Sequence, residues 1–109
     1  MLKKIYILLL LSLCVLSVQA RDDMTVLSLN DFHGQMLPNK NMVGAAKIAT
    51  FIDQYKISHP NLIVVAAGDN YQGTAISNLS HGKVVNDFFD YIGLKYSAVG
   101  NHDFDYGQV

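Results

Sequence analysis

Residues 61–67 read "NLIVVAA", an almost unbroken apolar run held between Pro60 and Gly68. The run is too short for a buried helix and lacks the alternation of a strand wetted on one face. It fits a strand covered on both faces, as in the middle of a parallel sheet. Such a strand needs parallel neighbours, and parallel neighbours need long crossovers, usually helical. The segments "MTVLSL" (24–29) and "KYSAVG" (95–100) supply candidate neighbours. Ala45, Ile48, Ala49, Ile52 and Tyr55 recur at helical spacing and predict a helix over 42–57. A second stripe is formed by Val84, Val85, Phe88, Phe89 and Ile92, with Asn86, Asp87 and Asp90 opposite and Gly93 placed to end it. The order β-α-β-α-β predicts an α/β chain with a parallel sheet and right-handed crossovers.

The first twenty residues have a different character. "MLKKIYILLLLSLCVLSVQA" opens on Lys3 and Lys4, continues apolar from Ile5 to Val18 and ends Val18-Gln19-Ala20. A basic start, a short apolar core and a small terminal residue describe a secretory signal peptide over residues 1–20, cut after Ala20. The apolar stretch falls short of the about 20 residues that span a bilayer. The expectation is therefore export to a periplasm or the extracellular space, with no stable membrane anchor after cleavage. A retained N-terminal anchor is the alternative, and a lipoprotein cut before Cys14 is disfavoured by the bulky Leu13 preceding it.

Without that segment, residues 21–109 carry six Lys and Arg against nine Asp and no Glu, a formal charge of −3. No basic cluster is present to bind a nucleic-acid polymer. The sole cysteine, Cys14, lies in the signal segment, so packing or metal must hold the fold in place of disulfides. A span of 89 residues is short against a typical domain of about 100–200. It suggests part of a domain.

Polar chemistry collects after each predicted strand: "NDFHGQ" after the first, "GDNYQGT" after the second, "GNHDFDYG" after the third. In a parallel sheet the carboxyl ends of the strands share one edge, where such folds bind ligands. Asp31, His33, Asp69, Asn101 and His102 should therefore converge. On an extended segment Asp31 and His33, at i and i+2, would point the same way and grip one ion. Carboxylate with imidazole and no thiolate selects Zn, Mn, Fe or Co. Each motif alone also satisfies turn chemistry; three together at strand ends point to a metal site. His59 falls at the opposite edge of the sheet and His81 in a solvated loop. Asn70 and Gln72 either line the site or satisfy the loop backbone. Tyr71, Phe32 and Phe104 are expected to pack near the site, and Phe88 and Phe89 in the core.

The stretches "VLSLNDFHGQ", "HPNLIVVAAGDNYQGT" with the following "ISNL", and "AVGNHDFDYG" resemble the N-terminal part of the 5′-nucleotidase branch of the calcineurin-like metallophosphoesterases. The resemblance covers almost all of residues 24–107. It implies the start of a four-layer α/β-β/α sandwich, incomplete in this chain, and two divalent metal ions that cleave phosphate esters. By the same resemblance Asp31 and His33 bind the first ion, Asp69 bridges both and Asn101 binds the second. His102 then faces the phosphate and Asp105 orients it. Two ions about 3.5–4 Å apart neutralise phosphoryl charge and activate a hydroxide nucleophile. A histidine that keeps its proton needs an anionic neighbour, which Asp105 can be. Family members more often carry Glu at the position of Asp103; the resemblance makes that position no ligand, so little consequence is expected.

These residues offer the first ion three protein donors and the second two, whereas even a tetrahedral ion wants four. In the family the remaining ligands are histidines further along, and a C-terminal domain binds the nucleoside. Residues 21–109 are thus expected to be the N-terminal part of a longer exported catalytic domain, inactive in isolation. The function expected of the whole is a metal-dependent phosphohydrolase acting on nucleotides or other small phosphate esters. A 2′,3′-cyclic nucleotide 2′-phosphodiesterase or UDP-sugar hydrolase is the alternative within the family. A sulfur-ester hydrolase is more distant, and a non-catalytic metal-binding fragment is the alternative of another class.

Overall fold

The computed structural model describes residues 23–107. The signal peptide expected over residues 1–20 lies outside the described residues. Six elements follow one another: β1 (Thr25–Leu29), α1 (Ala45–Ser58), β2 (Leu62–Ala66), α2 (Ala75–Leu79), α3 (Lys83–Ile92) and β3 (Leu94–Ser97). The strands form one parallel sheet in the order β1-β2-β3. Thr25 pairs with Leu62 and Leu29 with Ala66, so β1 and β2 run in step along their whole length. On the other side Val64 pairs with Leu94 but Val65 with Tyr96, an irregularity that leaves Lys95 as the extra residue of β3. The apolar run at 61–67 thus takes the central position its composition demanded.

Two successive crossovers of one hand, stepping the same way along the sheet, put their helices on one face. Val64 of β2 accordingly meets Ile52 of α1 and Val85, Phe88, Phe89 and Ile92 of α3 in a single core. Ile52, Val85 and Ile92 have no exposed surface. Burial of β2 on both faces is met on this face only: Val64 and Ala66 are buried, Ile63 and Val65 half-buried. Among the described residues, nothing corresponding to a second layer packs against the face of Ile63 and Val65.

Local chemistry sets the helix boundaries. α1 starts at Ala45, three residues after the expected Met42, because Gly44 sits at φ +78°, outside helical space. Just before it, Asn39 Oδ1 accepts from the N–H groups of Asn41 and Met42 and turns the chain. α3 ends where its glycine predicts: Gly93 adopts φ +71° and donates its N–H to Phe89 and Asp90 carbonyls. Lys56 Nζ donates to the Ile92 carbonyl at 3.0 Å, capping α3 from the last turn of α1. β3 begins at Leu94 and ends at Ser97, three residues short of the expected Gly100, because 98–100 bend towards the loop after β2. α2 was not legible beforehand. Its N-cap is Thr74, whose hydroxyl accepts from Ser77 N–H and donates to the Gly34 carbonyl. No helix of the described residues is long and apolar enough to cross a membrane.

Burial on α1 is sharply sided, and stability should follow it. Ile52→Ala is expected to cost about 2–5 kcal/mol in urea unfolding, the range for emptying a packed core site. Ile57→Ala, on the same helix but 85% exposed, should change stability by less than about 0.5 kcal/mol.

Candidate metal centre

The three polar loops meet at the carboxyl edge, as the strand order requires. The ladder between β1 and β2 continues into them: His33 N–H donates to Asp69 O and Gly34 N–H to Asn70 O, both at 2.9 Å. Phe32 anchors the first loop by turning inward, 3% exposed and stacked on Phe88 at 5.3 Å between ring centroids. Its neighbours Asp31 and His33 are left on the opposite, open side. They do not get there as an extended i, i+2 pair. Asp31 has φ +49° and His33 φ +47°, so the segment is a left-handed turn. The expectation of an extended segment is corrected, while the pair still shares a side because Phe32 claims the core.

Ligand atoms of Asp31, His33 and Asp69 all lie within 4.8 Å of one another. His33 Nδ1 is 2.8 Å from the Gln72 carbonyl, which can only accept. Nδ1 therefore carries the proton, and Nε2 keeps a lone pair for a metal. Asp69 Oδ1 accepts from His102 N–H at 2.8 Å, leaving Oδ2 without a protein donor among the described residues. No lysine or arginine of the described residues forms an ion pair with Asp31 or Asp69. Two unneutralised carboxylates facing a correctly tautomerised imidazole fit a divalent cation.

Backbone strain gathers at the same place. Asp31, His33 and Asp69, together with His81, are the non-glycine residues at positive φ among those described. Each such residue costs roughly 1–3 kcal/mol and persists only where its surroundings hold it. His81 has another environment: it is exposed and stacks on Tyr106 at 5.6 Å. His59 lies at the other edge of the sheet as expected, half-buried against the Tyr55 ring at 3.8 Å.

His102 stands beside the cluster, its ring 5.7 Å from that of His33 and edge-on to it. Its Nδ1 is 2.7 Å from Asp105 Oδ2. That hydrogen bond is the main cause raising the His102 pKa above the usual histidine value. Partial loss of water opposes it, and the charges of Asp105, Asp69 and Asp103 add to it. Asn101 precedes His102 in the same turn, exposed.

Asn70 and Gln72 serve the loops. Asn70 is 1% exposed and donates Nδ2–H to Ser97 Oγ at 2.8 Å, while Gln72 contributes its carbonyl to His33. Tyr71 packs on Phe89, with its pKa raised by burial first and then by the charges of Asp103 and Asp90. Phe104 corrects its expected packing role: it is 56% exposed.

Asp103, noted in the sequence only as a non-ligand position where the family more often carries Glu, has a structural part that reading did not assign. Its carboxylate accepts from Asn70 N–H at 2.7 Å, Gly100 N–H at 2.9 Å and Asp69 N–H at 3.0 Å. The signals that could have found it were an extra aspartate in a turn already rich in them and the acidic residue that the resemblance implies at this position.

A parallel α/β edge that gathers two carboxylates and an imidazole, with a histidine–aspartate pair alongside, defines a class of candidate metal site. Residues 24–109 match the family model described as calcineurin-like phosphoesterase, and the chain belongs to that family. Within it the similarity lies with the 5′-nucleotidase branch. A snake venom 5′-nucleotidase of Naja atra is 34% identical over 95 residues, 78% of this chain and 18% of that protein. The 5′-nucleotidases of Bos taurus and Homo sapiens are each 30% identical over 96 residues, 78% of this chain and 17% of theirs. The chain thus spans less than a fifth of the length of these relatives.

Two outcomes follow from the geometry. In the metal-free protein, Asp105→Asn should lower the His102 titration midpoint towards the ordinary histidine value, followed by NMR of the imidazole. The sign follows from the raised pKa: the parent holds the proton as pH rises and loses it only above the usual midpoint. Asp31→Gly removes a donor but also a strained left-handed aspartate. Its metal-free melting temperature should equal or exceed that of the parent, while the rise on adding Mn²⁺ or Zn²⁺ should shrink.

Proposed function

We propose that residues 21–109 are the N-terminal part of an exported, metal-dependent phosphohydrolase acting on phosphate esters of nucleotides, with 5′-nucleotidase-type activity, behind a signal peptide at residues 1–20. The observation that carries this reading is the meeting of Asp31, His33 and Asp69 within 4.8 Å, with the His102–Asp105 pair beside them. Membership of the phosphoesterase family supports the chemistry, and the names of its relatives support the nucleotide. The apolar N-terminal pattern supports export.

In this reading Asp31 and His33 hold one divalent ion, Asp69 bridges it to a second, and Asn101 contributes to the second. Further ligands, and the surface that recognises the nucleoside, come from outside these 109 residues, so residues 21–109 alone are inactive. Bound ions would neutralise phosphoryl charge and make water a nucleophile at neutral pH.

The chain's own residues do the rest. Asp105 occupies His102 Nδ1, so His102 presents Nε2 to incoming substrate. Its raised pKa favours the protonated ring, whose Nε2–H would be available to a phosphoryl oxygen or to the departing alkoxide. His33 donates its own Nδ1 proton to Gln72, so it cannot serve as a second acid while Nε2 is ligated.

The complete protein should release phosphate from AMP in a chelator-sensitive manner, faster than it hydrolyses 2′,3′-cyclic AMP or UDP-glucose. Chelator-insensitive turnover, or none on any phosphate ester, sinks the reading. His102→Ala should keep its metal content while losing about a hundredfold or more in kcat, the usual consequence of removing a group that stabilises transition-state charge. Equal loss of metal would make His102 a ligand instead.

A further inference from the structure

The loops after β2 and β3 are joined by reciprocal bonds. Asp69, on the β2 loop, accepts His102 N–H through Oδ1. Asp103, on the β3 loop, accepts Asp69 N–H through Oδ2 and Asn70 N–H through Oδ1. Oδ2 of Asp103 also takes Gly100 N–H from its own loop. Two successive backbone N–H groups aimed at one anion form a nest, a concavity with a fixed positive potential. Here the anion is internal. The carboxylate fills the nest at Asp69, where φ is +52°. A neutral amide of the same shape could not match it, since it has one acceptor oxygen for three donors.

The contact is also close. A Cβ on Gly100 would come within 2.3 Å of Asp69 N, and a Cβ on Gly68 within 2.5 Å of Gly100 N. Both loops must lack side chains at the crossing for the Asp103 carboxylate to reach the nest.

We propose that Asp103 is a positioning residue: by filling the Asp69–Asn70 nest it sets the backbone of Asp69, and through Asp69 the place of His102, before any metal arrives. It touches neither metal nor substrate. Its effect passes through Asp69, whose Oδ1 is fixed on His102 N–H and whose carboxylate offers an oxygen to the cluster with Asp31 and His33. This inference rests on the reading of Asp69 as a metal ligand and His102 as the phosphate-facing group.

The test uses the complete protein and Mn²⁺ alone as probe. In the metal-free parent, hydrogen exchange should already find the amides of residues 69, 70 and 100 protected. If they are open without metal and close only with it, the metal sets Asp69 and the proposal falls, with no variant needed. Asp103→Asn should speed exchange at these amides tenfold or more, weaken Mn²⁺ binding tenfold or more by calorimetry, and lower kcat more than it raises KM. Asp103→Glu, which keeps the carboxylate, should recover most of the metal affinity. Ser97→Ala cuts the neighbouring Asn70–Ser97 link without touching Asp69, and should leave Mn²⁺ affinity within about twofold of the parent. An equal loss in Ser97→Ala, or unchanged affinity in Asp103→Asn, overturns the assignment. A parent that binds no Mn²⁺ yet shows protected amides would instead count against the proposed function and leave the nest intact.

Discussion

One carboxylate, that of Asp103, ties the β2 and β3 loops together at the carboxyl edge of the sheet. It works as an internal counter-ion to backbone dipoles. Exposed loops ordinarily find their hydrogen bonds in water and move accordingly. Here three N–H groups that would otherwise be hydrated are gathered on a single charged acceptor, and charge-assisted bonds of this kind are the stronger sort. The glycines at 68 and 100 allow the approach, and the left-handed turn at Asp69 is held by it.

From that junction the site follows in order. Asp69 is fixed by its own N–H and by His102 N–H on its carboxylate. His33 is registered on Asp69 through the extended β1–β2 ladder and locked in one tautomer by Gln72. Phe32, buried against Phe88, fixes the first loop to the same core that α1 and α3 build. The strained residues are thus braced from beneath by apolar packing and from the side by hydrogen bonds. Such bracing is the condition under which left-handed aspartate and histidine persist. An arrangement of this kind is preorganised for a cation: two like charges stand close together without a lysine or arginine of the described residues to neutralise them.

Much of this was legible before any coordinates. Periodicity located three strands and two of the three helices, because a parallel strand and an amphipathic helix each leave a repeating apolar signature. The central place of residues 61–67 was legible from their lack of polar positions. The gathering of Asp31, His33, Asp69 and His102 was legible from their placement after strands that had to be parallel. Boundaries were less so, since Gly44 and the Asn39 turn act through φ angles and side-chain acceptors that leave little periodic trace. The short helix α2 rests on a threonine cap that reads as an ordinary loop residue.

By itself the sequence determined the α/β order, the edge on which chemistry collects and the residue types that could hold a divalent ion. Those depend on composition and spacing along the chain. Only the tertiary structure decided that Asp31 and His33 meet through a left-handed turn, that Asn70 is a buried brace and that Asp103 is an anchor. The physical reason is that these roles belong to backbone N–H groups. Every residue but proline carries the same N–H, so no pattern of side chains announces where three of them will converge.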